Sequence, residues 1–275
     1  MARSLIVTAD DVGLHRGMTE GAIRAHRDGI VTACSVVANG AAFEHAVERL
    51  RDVPKLEVGV HLALVEERPL AGHVPSLVGA NELFHESYTA FAPRYAARMI
   101  RMSEVEHELR MQVERVLGTG LEVTHLNGHQ HLHLLPRIFE LVHLMAEEYG
   151  VGYIRTVSEP LRAPGVSPLR RASVAMLSRL GRRARRHCAF VATNDRTIGV
   201  LQAGRIQEVQ PLLAEVEGIT ELVCHPGVGD AQLAEAYQWG YGWDAETEAL
   251  CEPSLREVIR MRDIRLIRPS EVARI

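Results

Sequence analysis

Four histidines fall within the nine-residue segment His125-Leu-Asn-Gly-His-Gln-His-Leu-His133. Neutral imidazole is the commonest protein ligand for zinc and similar metal ions, so the segment predicts a metal site. A metal ion rarely takes more than three histidines from one segment. For each histidine, a structural hydrogen bond to the loop backbone therefore stays open as the alternative interpretation.

Other polar residues stand near the ends of apolar, strand-like runs. Asp10 and Asp11 follow the run 5–8, His61 lies near the end of 56–64, His125 follows 121–124, Arg155 follows 151–154, and His225 follows 221–224. The carboxyl ends of parallel strands share one rim in βα architectures, and ligands bind there. Asp11, His61 and His125 would then form a carboxylate and two-histidine metal site with positions open for water and substrate, as in catalytic sites.

Each of these residues also has a structural interpretation. Asp10 or Asp11 could cap the first helix, His61 could be a hydrogen-bonded core histidine, and His225 could stabilise the turn before Pro226. Their common placement at successive strand ends favours the functional interpretation over these alternatives.

Segments with helical periodicity separate the strand-like runs. They are predicted at 17–29, 41–51, 104–117, 137–149, 206–215 and 245–262, and further strands at 30–37 and 264–267. This alternation predicts a parallel sheet, and the number of units favours a distorted (β/α) barrel over a doubly wound open sheet. We expect a single domain over 1–275, with insertions at about 65–102 and 157–187, where the alternation is lost.

Composition limits the function classes. The 275 residues are 47% apolar and carry a formal net charge of −4, which gives no reason to expect nucleic-acid binding. The four cysteines are scattered without CxxC spacing, which is typical of reduced, mostly buried thiols. The N-terminal residues lack the pattern of a signal peptide, and no run approaches a membrane-spanning length. We therefore expect a cytoplasmic protein.

The second insertion is basic, with eight arginines between Arg162 and Arg186. A helix over 169–184 would place Leu169, Ala172, Met176, Leu177 and Leu180 roughly on one face. Two interpretations are open: a basic amphipathic helix that makes peripheral contact with an anionic membrane, or a solvated arginine-rich helix whose apolar stripe packs on the barrel.

Four segments together resemble the YdjC-like carbohydrate deacetylase family. They are Thr8-Ala-Asp-Asp-Val-Gly13, Gly59-Val-His-Leu62, the histidine segment 125–133 and Cys224-His-Pro-Gly227, in the family's order along nearly the whole chain. The fragments Val65-Glu-Glu-Arg-Pro69 and Val74-Pro-Ser-Leu77 most resemble the branch associated with hopanoid lipid biosynthesis. The chain departs from the family pattern in two places: Val12 replaces an aromatic residue, and the pair Leu126-Asn127 replaces an acidic-polar pair.

The resemblance implies a distorted (β/α) barrel that binds one divalent metal ion, Mg²⁺ or Zn²⁺, and removes N-acetyl groups from amino sugars. It implies metal binding by Asp11, His61 and His125, with Asp10 as base and His225 as acid. Such a metal would polarise the amide carbonyl and lower the pKa of water, while His225 would protonate the departing amine.

The residues that contact the substrate are predicted less specifically than the metal ligands. Arg155 could orient Asp10 or a sugar hydroxyl, or form a structural ion pair, and His129 and His131 are candidate substrate-binding residues. The expected partner is an N-acetylated amino sugar, with a lipid-linked N-acetylglucosamine as the extension and a homodimer left open. Two other functions are open: a metal-dependent hydrolase of a phosphoester or another amide, and a non-catalytic sugar-binding protein.

Overall fold

The strands form one parallel sheet that gathers their carboxyl ends at a single rim. The computed structural model describes residues 3–163, 165–188 and 190–272. Its strands are β1 (Arg3–Val12), β2 (Ala33–Val36), β3 (Glu57–Leu62), β4 (Val123–Gly128), β5 (Tyr153–Ile154), β6 (Arg196–Ile198), β7 (Ile219–Cys224) and β8 (Ile264–Leu266). Hydrogen-bonded neighbours among these strands are all parallel, so their carboxyl ends lie along the same rim of the sheet.

The sheet is curled and incomplete as a barrel. The strand order is β5-β4-β3-β2-β1-β7-β6, and β8 pairs with the first residues of β1. Between the outer strands, an isolated bridge joins Tyr153 to Ala192, just before β6. The prediction of a distorted (β/α) barrel in a single α/β domain is confirmed.

Helices pack around the sheet. They are α1 (Arg16–Arg27), α2 (Phe43–Arg51), α3 (Tyr88–Ala96), α4 (Met102–Leu117), α5 (Pro136–Glu148), α6 (Pro168–Arg185), α7 (Ala231–Ala236), α8 (Trp243–Leu250), α9 (Leu255–Met261) and α10 (Pro269–Val272). None of the helices in the described ranges is long and apolar enough to cross a membrane. Proline at its first turn starts α5, because ring closure presets the helical φ and removes an N–H that would have no partner.

Two predicted helices are wrong in extent. The region 206–215 contains only a short 3₁₀ turn, Leu212–Glu215, directly after Pro211. The predicted helix 245–262 is two helices, α8 and α9, with Pro253 in the break between them. Proline cannot donate the backbone hydrogen bond that a continuous helix needs there.

Helix α4 positions the start of the first insertion. Its apolar face is buried as predicted, but two polar side chains, Glu108 and Gln112, are also fully buried. Gln112 bonds both the N–H and the carbonyl of Ala63, and the Glu108 carboxylate accepts the N–H groups of Leu70 and Ala71. The chain on both sides of residue 66 is thereby held at the rim of the barrel.

Candidate active site

A bulge at the end of β1 turns two consecutive aspartates into the barrel. Neighbouring residues of a regular strand point to opposite faces of the sheet. The pairing of β1 with β2 slips between Ala9 and Val12, and Asp11 has a φ of 64°. Asp10 and Asp11 are both buried and both contact side chains from other strands. The bulge therefore supplies two carboxylates to one site.

Asp11, His61 and His129 form a cluster of metal-ligating atoms. The Oδ1 atom of Asp11 lies 3.2 Å from Nε2 of His61 and 2.9 Å from Nδ1 of His129. The three residues are buried, and each offers one donor atom within 4.8 Å of the others. One carboxylate and two imidazoles are a donor set that binds zinc and similar divalent cations.

The hydrogen bonds around His61 fix which ring nitrogen faces Asp11. Asn127 must present its NH₂ to the Asp10 carboxylate, 3.2 Å away, because a carboxylate only accepts. The Asn127 oxygen then accepts from Nδ1–H of His61 at 2.6 Å. In neutral His61 this leaves the Nε2 lone pair facing the Asp11 carboxylate. Two acceptors facing each other need a cation between them, so the residues fit a divalent metal.

His129 lies between two carboxylates. Its Nδ1 contacts Asp11, and its Nε2 lies 2.8 Å from Oε2 of Glu66. Burial lowers the pKa of His129, but Asp11 and Glu66 outweigh burial and raise it to about 10. The pair of carboxylates thus favours a positive charge at this imidazole, which either a proton or a metal ion on Nδ1 would provide.

The structure does not bring His125 into this cluster. The prediction that the strand ends before His125 is wrong, because β4 continues to Gly128. His125 pairs with Gly59 and Asn127 pairs with His61, so His125 lies one layer below the cluster. Its ring occupies the space above Gly59, where an added Cβ would lie 2.4 Å from it. Burial, with Arg155 nearby, lowers the pKa of His125 to about 3, which keeps the ring neutral.

His129 takes the position predicted for His125. His125 and Asn127 lie two residues apart on one face of β4, whereas His129 follows the strand end and begins a 3₁₀ turn. The sequence-based assignment of His129 as a substrate-binding residue is therefore replaced by a place in the donor cluster. The structure therefore brings together two of the three predicted ligands, Asp11 and His61. The third member of the cluster is His129, which comes from the same segment, 125–133, as the predicted His125.

Asp10 is held by an entirely buried ion pair. Nη2 of Arg155 donates to Oδ1 of Asp10 at 2.9 Å, and Nε of Arg155 donates to Oε1 of Glu221 at 2.8 Å. Burial raises the pKa of Asp10, but Arg155 outweighs burial and holds the pKa well below its usual range. Arg155 has no exposed surface, so its predicted contact with a sugar is not supported, whereas its predicted orientation of Asp10 is present.

His225 follows β7 on the opposite side of the cluster. Its Nε2 lies 4.0 Å from Oδ2 of Asp11, and its backbone N–H donates to the buried Glu246 at 2.7 Å. Burial lowers the pKa of His225, but the carboxylates of Glu246 and Asp11 outweigh burial and raise it. A histidine that keeps its proton beside the cluster is suited to donate it.

The remaining histidines of the segment lie around Arg155. His133 bonds the Arg155 carbonyl through Nε2 at 3.0 Å. His131 has a positive φ of 57°, and burial, with Arg155 nearby, lowers its pKa well below the usual range. Its Nδ1 is buried and has no partner within the described residues. The substrate-binding role predicted for His131 stays a prediction.

Comparison with known proteins identifies the family. The model of the YdjC-like protein family matches residues 4–261. The chain belongs to the YdjC-like family. A carbohydrate deacetylase of Geobacillus stearothermophilus is 32% identical over 269 residues, 97% of each chain. A chitooligosaccharide deacetylase of Citrobacter koseri is 32% identical over 267 residues, 97% of this chain and 98% of that one.

A solved structure supports the fold. The crystal structure of a proposed cellobiose-phosphate cleavage protein from Enterococcus faecalis superposes with a TM-score of 0.80 and 24% identity. The superposition covers 98% of this chain and 99% of the Enterococcus faecalis chain. The curled parallel sheet described above is therefore an architecture already seen by experiment.

Several site residues of this YdjC-like protein were missed in the sequence. Asn127 could have been found, because it lies two residues from His125 and so shares its face of the strand. Glu221, Glu246 and Trp239 carry no local signal, and the fragment 65–69 does not by itself indicate that the Glu66 side chain reaches the site. They reach the site through contacts between segments far apart in the chain.

Proposed function

We propose that this protein is a metal-dependent hydrolase that removes the N-acetyl group from an N-acetylated amino sugar. The observation that carries the proposal is the donor cluster of Asp11, His61 and His129, with Asp10 beside it and His225 opposite. Relatives described as carbohydrate and chitooligosaccharide deacetylases support the choice of bond and substrate class.

The donor cluster would hold one divalent ion, Mg²⁺ or Zn²⁺. Two imidazoles favour Zn²⁺, since Mg²⁺ prefers oxygen ligands. A metal ion held by these residues supplies a Lewis acid that polarises the acetamide carbonyl and makes water more acidic.

Asp10 is placed to act as the general base. Its Oδ1 accepts hydrogen bonds from Arg155, Ser35 and Asn127, whereas its Oδ2 accepts one from Arg155 among the described residues. Oδ2 therefore has capacity for a proton taken from the attacking water. The ion pair with Arg155 keeps Asp10 ionised and fixes the orientation of its carboxylate.

His225 would act as the general acid. Hydrolysis breaks the bond between the acetyl carbon and the sugar nitrogen, and the nitrogen needs a proton before it leaves as an amine. His225 lies across the cluster from Asp10 and holds a proton because its neighbours are carboxylates. The products are acetate and an amino sugar.

The charge of the site favours a neutral acetamide over a phosphoester. Asp10, Asp11, Glu66 and Glu246 surround the reaction centre, and Arg155 beside it is bound by Asp10 and Glu221. A phosphoester would bring further negative charge among these carboxylates. Acetate release from N-acetylglucosamine oligosaccharides, measured beside phosphate release from p-nitrophenyl phosphate, tests the choice. We expect acetate only, and phosphate release alone would contradict the proposal.

Glu66 is expected to strengthen metal binding through His129. A carboxylate on the second nitrogen of a ligating imidazole orients the ring, and its loss typically lowers metal affinity about 10- to 100-fold. Glu66→Gln should therefore lower Zn²⁺ affinity in that range, measured by competition with a chromophoric chelator. The matched control is Glu67→Gln, because Glu67 bonds Tyr237 rather than His129. Equal affinities for the two variants would contradict this role.

We further propose that the sugar is lipid-linked, with N-acetylglucosamine on a hopanoid as the candidate. The fragments 65–69 and 74–77, which resemble the hopanoid-associated branch, begin the first insertion at the rim. Within them Glu66 reaches the donor cluster. Acetate release from a glycolipid bearing N-acetylglucosamine, compared with the free sugar, tests this extension, and equal or lower activity on the glycolipid would contradict it.

Helix α6 offers a surface for peripheral contact with a membrane. The predicted apolar face divides: Leu177 and Leu180 pack against the core, whereas Leu169 and Met176 are 78% and 58% exposed. The two pairs differ in exposure because α6 packs on the protein through the face that carries Val174, Ser178 and Gly181. Leu169, Ala172, Met176, Arg179 and Arg183 repeat at intervals of three and four residues, so they share the outer face.

This outer face should bind anionic vesicles. An arginine near an anionic surface contributes about 1 kcal/mol, so Arg179→Ala with Arg183→Ala should weaken binding roughly 30-fold. Cosedimentation with vesicles containing phosphatidylglycerol measures the change. The control pair is Arg27→Ala with Arg260→Ala, at exposed positions on α1 and α9. Unchanged binding of the α6 variant would remove the membrane from the proposal and leave the deacetylase activity untouched.

A further inference from the structure

The segment 237–243 concentrates aromatic side chains at the rim. It carries Tyr237, Trp239, Tyr241 and Trp243, in a chain that is only 5% aromatic. Trp243 is buried in a small apolar cluster with Leu14, Met18 and Leu233, whereas the other three rings are partly exposed. Tyr237, Trp239 and Tyr241 pack against this cluster with part of their surface, and core packing does not account for the part that stays exposed at the rim.

The three partly exposed rings form a row across the reaction centre. Trp239 lies 5.5 Å from the His129 ring, and Tyr241 lies 5.2 Å from the His225 ring, between centroids. Trp239 and Tyr241 are 5.3 Å apart, and Tyr237 is 4.8 Å from Trp239. The row thus runs from a residue of the donor cluster to the candidate acid.

Hydrogen bonds and packing contacts fix the positions of these three rings. Nε1–H of Trp239 donates to Glu66 at 3.1 Å, and the Tyr237 hydroxyl donates to Glu67 at 3.0 Å. The Tyr241 ring packs against Gly204, where an added Cβ would lie 2.1 Å from it. Glu66 binds the N–H of Trp239, so the exposed part of the Trp239 ring is what this side chain can offer to a ligand.

We propose that Trp239 and Tyr241 form the surface on which the sugar ring of the substrate stacks while its acetamide enters between Asp10 and His225. This inference rests on the proposed function and adds the subsite that recognises the sugar. A pyranose with equatorial hydroxyls presents C–H groups on its faces, and these complement the negative face of an aromatic ring.

The carboxylates beside the row narrow the substrate class. Glu66 and Glu67 hold the aromatic row, and Asp11 and Glu246 lie beneath it. An acidic sugar would place its carboxylate among these groups, whereas a neutral N-acetylhexosamine oligosaccharide would not. The subsite therefore takes neutral sugars, and the cationic amine product is compatible with it.

Calorimetric binding of triacetylchitotriose tests the subsite without turnover. In an Asp10→Asn background, adding Trp239→Ala should weaken binding about tenfold, the effect of losing one aromatic contact. Adding Trp239→Phe keeps a ring face but not the N–H, and should stay within about twofold of the background. Phe190→Ala removes an exposed aromatic ring outside the row and should change nothing.

The outcomes separate this inference from the proposed function. Unchanged affinity in the Trp239→Ala variant, or no binding by the background protein, would overturn the subsite. The wild type could release no acetate while the Asp10→Asn protein binds the trisaccharide in a manner that depends on Trp239. That result would support the subsite and contradict the proposed deacetylase function. Tighter binding of an acidic oligosaccharide than of the neutral one would overturn the assigned substrate class.

Discussion

Replacing Asp10 by asparagine is expected to lower kcat for acetate release by about 10²- to 10⁴-fold, the usual contribution of a positioned general base. Asparagine keeps the shape of the side chain but cannot take the proton from water. Arg155 retains Glu221 as a counter-charge, so the variant should still fold. Steady-state acetate release measures the effect, with circular dichroism to confirm folding.

The neighbouring aspartate provides the matched comparison. Asp11→Asn should lose bound metal as well as activity, because Asp11 contributes an oxygen to the donor cluster. Asp10→Asn should keep its metal, because Asp10 bonds Arg155, Ser35 and Asn127 instead. A variant at Asp10 that kept more than a tenth of wild-type kcat would contradict its role as base.

His129→Ala is expected to abolish stoichiometric metal binding, with affinity lowered more than about 100-fold, beyond what loss of an outer carboxylate causes. His129 provides one of three donors that face a common point, and two donors hold a divalent ion poorly. Metal content by mass spectrometry and affinity by competition with a chelator measure the loss. Acetate release should fall with it.

His125→Ala separates the two candidate third ligands. This variant should keep one metal ion per chain with affinity close to wild type, because His125 lies a layer below the cluster. It should also unfold more easily, by about 2 kcal/mol or more, since removal of a fully buried ring leaves a cavity. Loss of metal from His125→Ala and its retention by His129→Ala would reverse the assignment.

The sequence predicted where in the fold the site lies better than it predicted which residues form the donor cluster. Polar residues after successive apolar runs predict a shared rim, and Asp11 and His61 do meet there. Choosing between His125 and His129 depended on where β4 ends, and four residues of strand separate the predicted end from the observed one. Strand ends are weakly marked in sequence, because a buried strand can continue through polar residues that face the barrel interior.

Other features depend on tertiary contacts that no local pattern records. Glu66 meets His129 across 63 residues of sequence, and Trp239 meets Glu66 across 173. For α6, helical spacing groups Leu169 and Met176 with Leu177 and Leu180, but it does not say which of them face the sheet and which face solvent. The bulge at Asp11, which turns both aspartates inward, likewise has no distinct sequence signal.

The most direct test of the account is acetate release from N-acetylglucosamine oligosaccharides by wild-type protein before and after removal of metal with a chelator. The account predicts no release by the stripped protein and full recovery with one equivalent of a divalent ion, Zn²⁺ or Mg²⁺, per chain. Unchanged release by the stripped, folded protein would contradict the metal centre. No release by the fully loaded protein would contradict the deacetylase function itself.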